Sequence, residues 1–583
     1  MSGHDAWSRL LLDGDTGWHI RVGEYILDHG TVPQTDLFSF SKAGERWFAW
    51  EWGADVIYAI LHRIWGLKGI VILAGVQVAL YATIVMRYSV WRGANALVTL
   101  AVGLLAVGAS SVHYLARPHL FTLILLPVSI WLLEADRARP TRAVWTLIPL
   151  AALWTNLHGG FLALIACAGM MMAGVAVEEW WRGTRDWRAV RRYALLTAGC
   201  FAATFVNPYG YHLHEHIAKY LSSDWIREVV QEFQSPSFRA ENILHFEVLL
   251  LAGLIASASL LARKNVVSTL WVLFWAHQAL GSVRHLTIYV TIAAPVVALE
   301  LTLLWKQAAE RLPKSSVTRI LHDLGADMVR NFRWTSLWPA AMVAGLLVAD
   351  LGIRWPQDFP ALRFPVKMVN KHQDAIRAGR VLTTDQWADY LIYRFYPQQR
   401  VFFDGRSDFY GPGLGKQYVR VSSGAHDWKQ ILDRHSFDVA LIPPDWSLAS
   451  LLKQDSAWRL KEDDGKSLLF ERTAKSTRTP TQKSDSSLMK VPDPTEVLRG
   501  DRKMKRRSRT PRTRTSEGLQ TRKEARRAEG VAPAAEWRLP SGQPLTEYAM
   551  RNGFVAPRLL RKPVASAGFL EEPTRLDLPQ ERY

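Results

Sequence analysis

Gly69-Ile70-Val71-Ile72-Leu73-Ala74-Gly75-Val76-Gln77-Val78-Ala79-Leu80-Tyr81-Ala82-Thr83-Ile84-Val85-Met86-Arg87 carries no charge before its closing arginine. At about 1.5 Å per residue a helix of this length crosses the roughly 30 Å hydrocarbon core of a bilayer. A backbone in lipid must satisfy its own hydrogen bonds, so such a stretch is read as a helix. Similar apolar runs lie at about 93–112, 119–134, 143–157, 159–177, 193–206, 245–262, 266–282, 286–305 and 337–353, and predict about ten crossings. Those at 143–157 and 159–177 also suit re-entrant or tilted pieces. The fold class expected is mainly α: a polytopic membrane bundle.

Composition agrees once it is divided along the chain. The 583 residues are 49% hydrophobic and include 25 Trp, yet the mean hydropathy is only −0.02. A polar region after about residue 355 and a charged tail dilute the apolar part. The net charge of +18 is uneven, because 24 Lys or Arg stand against 13 Asp or Glu from Thr473 onward. Cys167 and Cys200 both lie inside apolar runs, where a thiol behaves as a small hydrophobe, so neither a disulfide framework nor a thiolate metal site is implied.

The short connections sort by charge. Arg87 and Arg92, then Arg137, Arg139 and Arg142, then Arg182 to Arg192, then Arg263 and Lys264, then Lys306 to Arg333 alternate with connections poor in Lys and Arg. By the positive-inside rule the basic set is cytoplasmic. Residues 1–67, the turns at 112–118 and 157–160, residues 207–245 and everything after Trp355 then face outward, across the cytoplasmic (inner) membrane of a bacterium. Leu10-Leu11-Leu12 read as the last turn of a longer apolar helix, so a start site upstream of Met1 is expected.

Four parts follow: an outer loop with amphipathic helices (1–67), the bundle (68–355), a small extracytoplasmic α/β domain (356–472) and a disordered basic tail (473–583). In the first, 17–27 reads as a helix stopped by Gly30, and 52–65 as a helix lying at the interface. Trp47, Trp50 and Trp52 fit an interfacial aromatic belt. In the third, strand-like segments at 380–383, 400–404, 438–442 and 467–471 alternate with helical ones. The tail, placed outside, suits an anionic lipid or polymer; nucleic acid is disfavoured there.

The outward turns gather ionisable groups at membrane depth, where charge is expensive and often functional. Asp13 and Asp15, with His19 nearby, open the first loop; His113, Arg117 and His119, then Asn156 and His158, then Asn207, then Arg284 and His285 follow. Carboxylates facing a cationic wall suit sugar transfer from a lipid phosphate. A carboxylate, Asp13 or Asp15, accepts the acceptor's proton, while Arg117 and Arg284, with His113, His119 or His285, neutralise the departing phosphate. A divalent cation (Mg or Mn) is an optional helper there, and the metal ligands are left unassigned.

Asp13-Gly14-Asp15-Thr16-Gly17-Trp18-His19-Ile20, Val32-Pro33-Gln34-Thr35-Asp36-Leu37-Phe38-Ser39, Trp154-Thr155-Asn156-Leu157-His158-Gly159-Gly160 and Asn207-Pro208-Tyr209-Gly210 resemble a group of bacterial membrane proteins placed near the GT-C glycosyltransferases. A carboxylate pair in the first outer loop, ahead of a multi-span bundle and an outer carboxy-terminal domain, resembles GT-C enzymes over about residues 10–470. The resemblance implies that Asp13 and Asp15 are catalytic and that the donor is a polyprenyl-phosphate sugar. The acceptor it leaves open is an envelope glycan, lipid or protein.

Blander readings stand beside each residue. Asp15 sits where a helix N-cap belongs. His158 beside two glycines suits a tight interhelical turn, and Arg117 and Arg284 suit snorkelling to headgroups. His212, His214 and His216 alternate as metal ligands can, or as a solvated loop does. Asp404, Arg406 and Asp408 lie where α/β folds present ligand loops, or form an ion pair that fixes the loop. The rival functions are a lipid-linked substrate transporter or flippase, and a non-catalytic envelope scaffold.

Overall fold

In the computed structural model the apolar runs become helices, and the structure describes residues 3–183, 187–240, 243–332 and 354–473, with Gly345 and Ala349. Two helices precede the bundle, α1 (Asp15–His29) and α2 (Trp52–Trp65). Then follow α3 (Leu67–Trp91), α4 (Ala96–Ser110), α5 (His119–Ala138), α6 (Leu147–Thr155), α7 (Phe161–Arg182), α8 (Arg188–Ala203), α9 (Tyr211–Ser222), α10 (Asp224–Val229), α11 (Ile243–Ala262), α12 (Val266–Gly281), α13 (Leu286–Glu310) and α14 (Val317–Phe332).

Among the described residues six helices are long and apolar enough to cross a membrane: α3, α4 with its continuation to His113, α5, α7, α11, and α13 with the turn before it from Val283. The other runs expected to cross are shorter helices or lie outside the described residues. The run at 143–157 is a short 3₁₀ turn followed by the nine-residue α6. The runs at 193–206 and 266–282 give α8 and α12, each of 16 residues. The run at 337–353 lies outside the described residues apart from Gly345 and Ala349, as does the basic tail beyond Thr473.

The basic connections are anchored by acids at the helix ends. Arg92 Nη1 lies 2.9 Å from Glu134, Arg137 Nη2 2.7 Å from Glu178 and Arg192 Nη2 2.8 Å from Asp136. Each of these carboxylates is buried and satisfied by its guanidinium, the arrangement that makes a buried charge tolerable.

α1 and α2 pack against each other, and α2 leaves Ile60, Ile64 and Trp65 exposed on its other side. The two helices pack so closely that a Cβ on Gly23 would stand 1.9 Å from the carbonyl oxygen of Asp55, so glycine is required there. α1 stops where Gly30 turns left-handed at φ 67° and bonds back to Ile26. Asp15 is the first residue of α1, not its N-cap; Gly14 holds that position without a side-chain cap. Trp47 is buried at 3% exposure, which removes it from the expected aromatic belt.

Beyond Trp355 come α15 (Val366–Lys371), α16 (Gln373–Ala378), β1 (Val381–Leu382), α17 (Asp385–Phe395), α18 (Ser407–Ser422), α19 (Trp428–Arg434), β2 (Val439–Ile442), α20 (Ser447–Gln454), β3 (Trp458–Asp463) and β4 (Leu468–Arg472). The sheet order is β1-β2-β4-β3, with β1 parallel to β2 and the other pairs antiparallel. Segment 400–404 is not one of its strands. Val401 instead exchanges backbone hydrogen bonds with the first outer loop, accepting from Phe40 and donating to Phe38, each at 2.9 Å. That pairing fastens loop 32–47 to the α/β region, and residues 1–478 form one compact unit.

Candidate functional site

The site begins with two hydrogen bonds that lay the 115–118 turn against the start of the chain. Ala116 N donates to Leu10 O at 2.7 Å, and Thr16 Oγ1 donates to Ala116 O at 2.8 Å. Arg117 is thereby set beneath the Asp13-Gly14-Asp15 turn. Its Nη1 lies 2.9 Å from Asp13 Oδ2 and 2.7 Å from Glu232 Oε1, and its Nη2 2.8 Å from Asp15 Oδ2. Asp13 Oδ1 accepts the backbone N–H of Asp15 at 3.0 Å, which closes the turn.

Glu232 comes from a one-turn 3₁₀ segment, Gln231–Phe233, held to the foot of α13 by Ser282 Oγ, which donates to Glu232 O at 2.8 Å, and by Val283 N, which donates to Gln234 O at 2.9 Å. Arg284 reaches the same carboxylate, with Nε 3.5 Å from Oε2. It also donates to Tyr220 Oη at 2.9 Å and stacks 4.6 Å from the Phe233 ring. Three carboxylates and two guanidiniums thus share one cluster, buried at Asp13 and Asp15 and partly exposed at Glu232 and Arg284, and the two arginines do not form a separate cationic wall.

Electrostatics divides the carboxylates. Burial pushes Asp15 up to about 7, assisted by Asp13 and Glu232 and opposed by Arg117. Burial acts on Glu232 in the same direction, but Arg117 and Arg284 outweigh it and hold Glu232 below the ordinary carboxylate range.

A second cluster adjoins the first, where the expected His19 and His158 meet Glu51 and Asp55, two carboxylates the sequence reading did not single out. His19 Nδ1 lies 2.6 Å from Asp55 Oδ1, and its Nε2 3.6 Å from Glu51 Oε2. The other oxygen of Glu51 is 3.5 Å from His158 Nε2, and His158 Nδ1 is 2.8 Å from Thr122 Oγ1. Glu51 is the hinge of this chain of contacts. Burial pushes it up to about 8 against the pull of Arg117 and Arg284, while burial holds His19 well below its ordinary value. A carboxyl that keeps its proton near neutrality beside two neutral imidazoles is suited to passing protons. The signal in the sequence was the i, i+4 spacing of Glu51 and Asp55 at the start of α2.

The remaining candidates are placed as follows. His113 Nδ1 lies 2.7 Å from Thr287 Oγ1, and His119 Nε2 donates to His113 O at 2.6 Å. His285 Nδ1 donates to Gln278 O at 3.3 Å. These contacts fix the turns around Arg117 and Arg284. Asn156 and Asn207 stitch loops: Asn156 accepts from Trp52 Nε1 at 2.6 Å and donates to Val206 O at 2.8 Å, and Asn207 accepts from Tyr209 N and donates to Thr204 O, each at 2.8 Å.

Asp404 and Arg406 form a buried pair apart from the cluster. Arg406 Nη2 lies 2.6 Å from Asp404 and 2.9 Å from Asp36, between the rings of Phe38, Trp47 and Phe409. Asp408 meets His216 at 2.9 Å. His212 and His214 face Glu215 and Thr204 instead, so the three histidines do not converge.

In the first outer loop Asp13 and Asp15 each give one oxygen to Arg117. Among the described residues no three His, Cys, Asp or Glu side chains converge as a metal-binding group. No metal ligand set is assigned among the described residues.

Fold and site together define a polytopic membrane protein with an acid–guanidinium centre at one end of its helices, next to a small α/β region. No protein-family model and no curated protein matches the chain. Among solved structures it is similar to the Archaeoglobus fulgidus oligosaccharyltransferase in the apo form, at 10% identity over 74% of this chain and 66% of that one, with a TM-score of 0.46. It is also similar to ArnT from Cupriavidus metallidurans bound to undecaprenyl phosphate (12% identity, 80% and 95% covered, TM-score 0.39). A third is AglB from Archaeoglobus fulgidus with an inhibitory peptide and a dolichol-phosphate (11%, 81% and 71%, TM-score 0.42).

Proposed function

We propose that this chain is an integral membrane glycosyltransferase of the GT-C kind, moving a sugar from a polyprenyl-phosphate donor to an envelope glycan, lipid or protein on the outer face of a bacterial inner membrane. The observation that carries the reading is Arg117, held within 2.9 Å of Asp13, Asp15 and Glu232, with Arg284 on the far side of Glu232. Acid and cation are presented together where a lipid phosphate and an acceptor hydroxyl can meet.

The step is a single displacement. The acceptor hydroxyl gives its proton to Asp13 as its oxygen bonds to the anomeric carbon. The bond from that carbon to the phosphate oxygen breaks with its electron pair, and the lipid phosphate leaves with one added negative charge. Arg284, and Arg117 as its carboxylates reorganise, neutralise that charge.

Mass spectrometry of lipids that co-purify in mild detergent tests the donor. A polyprenyl phosphate or its sugar conjugate is expected with the natural chain and is expected to be lost in Arg284→Ala. Its absence from folded natural protein would contradict the reading and favour the scaffold.

A further inference from the structure

The buried face of α17 carries Asp389, wholly inaccessible and aimed at the first outer loop. Its Oδ1 accepts the backbone N–H of Gly405 at 3.1 Å, whereas its Oδ2 is buried with no donor. Asp15 matches it: Oδ2 is taken by Arg117, and Oδ1 is buried with no donor. The two orphan oxygens point at one spot. A Cβ on Gly405 would stand 2.1 Å from Asp15 Oδ1 and 2.8 Å from Asp389 Oδ2, so the oxygens are no farther apart than the sum of those distances. The two side chains are within hydrogen-bonding reach of each other.

We propose that Asp15 and Asp389 hold one proton between them, which makes Asp389 a positioning residue that sets the charge of the catalytic loop from the α/β region. Two ionised carboxylates cannot face each other in a buried site, and with no N–H aimed between them a proton is the donor that fits. Burial raises both: Asp15 rises to about 7, with a hydrogen bond to Asp389 pulling the other way, and Asp389, facing Asp15 and Asp404, stands well above the ordinary range.

The charges facing the pair come from every neighbouring element. Asp13, Arg117 and Glu232 face Asp15; Asp385 and Asp404 face Asp389, with Arg406 neutralising Asp404. Glu51 also feels Asp15. A divalent ion is the competing occupant, because Mg²⁺ binds through one or two carboxylates with water completing its shell; chelation with EDTA separates the two. The backbone N–H of Gly14 donates to Gln386 Oε1 at 2.7 Å, so the proton sits in a seam that joins the Asp13-Gly14-Asp15 turn to α17. Loss of the proton would set two like charges across that seam.

The shared proton stands on geometry alone; its catalytic consequence rests on the glycosyl-transfer reading. The test is infrared titration of the full chain in lipid nanodiscs, following the C=O stretch of protonated carboxyl groups. A Glu51→Gln background removes that residue's own signal. A band that titrates near neutral pH is expected, and it is expected to vanish both in Asp389→Asn, whose amide becomes a permanent donor to Asp15, and in Asp15→Asn.

Either variant suffices if the other fails to fold. No such band, a band unchanged in the variants, or one that appears only after chelation with EDTA overturns the proposal. In transfer assays the activity limb near neutral pH is expected to flatten in Asp389→Asn. Natural protein with the band but no transfer would remove the glycosyltransferase reading and leave the shared proton standing.

Discussion

Arg117 and Glu232 stand 115 positions apart in the chain, yet Nη1 and Oε1 lie 2.7 Å from one another. The contact ties the turn between α4 and α5 to the segment just before α11, and it gives Arg117 a third carboxylate where the sequence suggested two. Removing a guanidinium from such a centre leaves its partners buried and mutually repelling, which costs about 3–5 kcal/mol in comparable buried pairs.

Arg117→Ala is therefore expected to lower thermal stability by that order. The combination Arg117→Met with Asp13→Asn and Asp15→Asn is expected to recover most of the loss, because no charge then lacks a partner. Unfolding curves in a fixed detergent check both. Equal stability of Arg117→Ala and the natural chain would mean that the cluster is not formed.

Glu51 gives a pH dependence of defined sign. Its folded pKa is raised from an ordinary 4.5 to about 8, so the folded chain holds a proton that the unfolded chain releases. That contribution is fully present below about pH 4.5 and is lost as pH rises through about 8. Unfolding temperature is expected to decline across this window, and Glu51→Gln, permanently neutral, is expected to flatten the upper part of the decline. An unchanged slope in the variant would place the Glu51 carboxyl in contact with water.

Arg406 holds the loop 36–47 to the α/β region through Asp36 and Asp404. Arg406→Met, which keeps the packing against Phe38 and Trp47 but not the charge, is expected to destabilise by about 3–5 kcal/mol. Hydrogen exchange in segment 36–47 is expected to accelerate more than exchange in α3 or α13. Uniform acceleration would show that the pair is not a local fastening.

Most of the bundle was legible because a long apolar run has one stable form in lipid. Where runs were short, composition could not distinguish a crossing from the half-length α6, since Leu147–Thr155 is as apolar as its longer neighbours. β3 was missed because its polar residues, exposed along one edge of the sheet, look like loop. Asp13, Asp15 and Arg117 were found because charge at membrane depth is conspicuous. Glu51, Asp55 and Asp389 were not, because only the close approach of α1 to α2 and α17 buries them, and Glu232 reaches the cluster from a one-turn segment with no pattern of its own. Trp47 was misplaced for the same reason, its partner Arg406 lying far along the chain.

The most direct measurement is transfer of labelled sugar from a polyprenyl-phosphate donor to extracted envelope acceptors by the full chain in nanodiscs, comparing the natural protein with Asp13→Asn. Turnover by the natural chain is expected, with a loss of at least about a hundredfold in Asp13→Asn, the scale of a lost general base, and an unfolding temperature little changed. Undiminished transfer by a folded Asp13→Asn protein would contradict it.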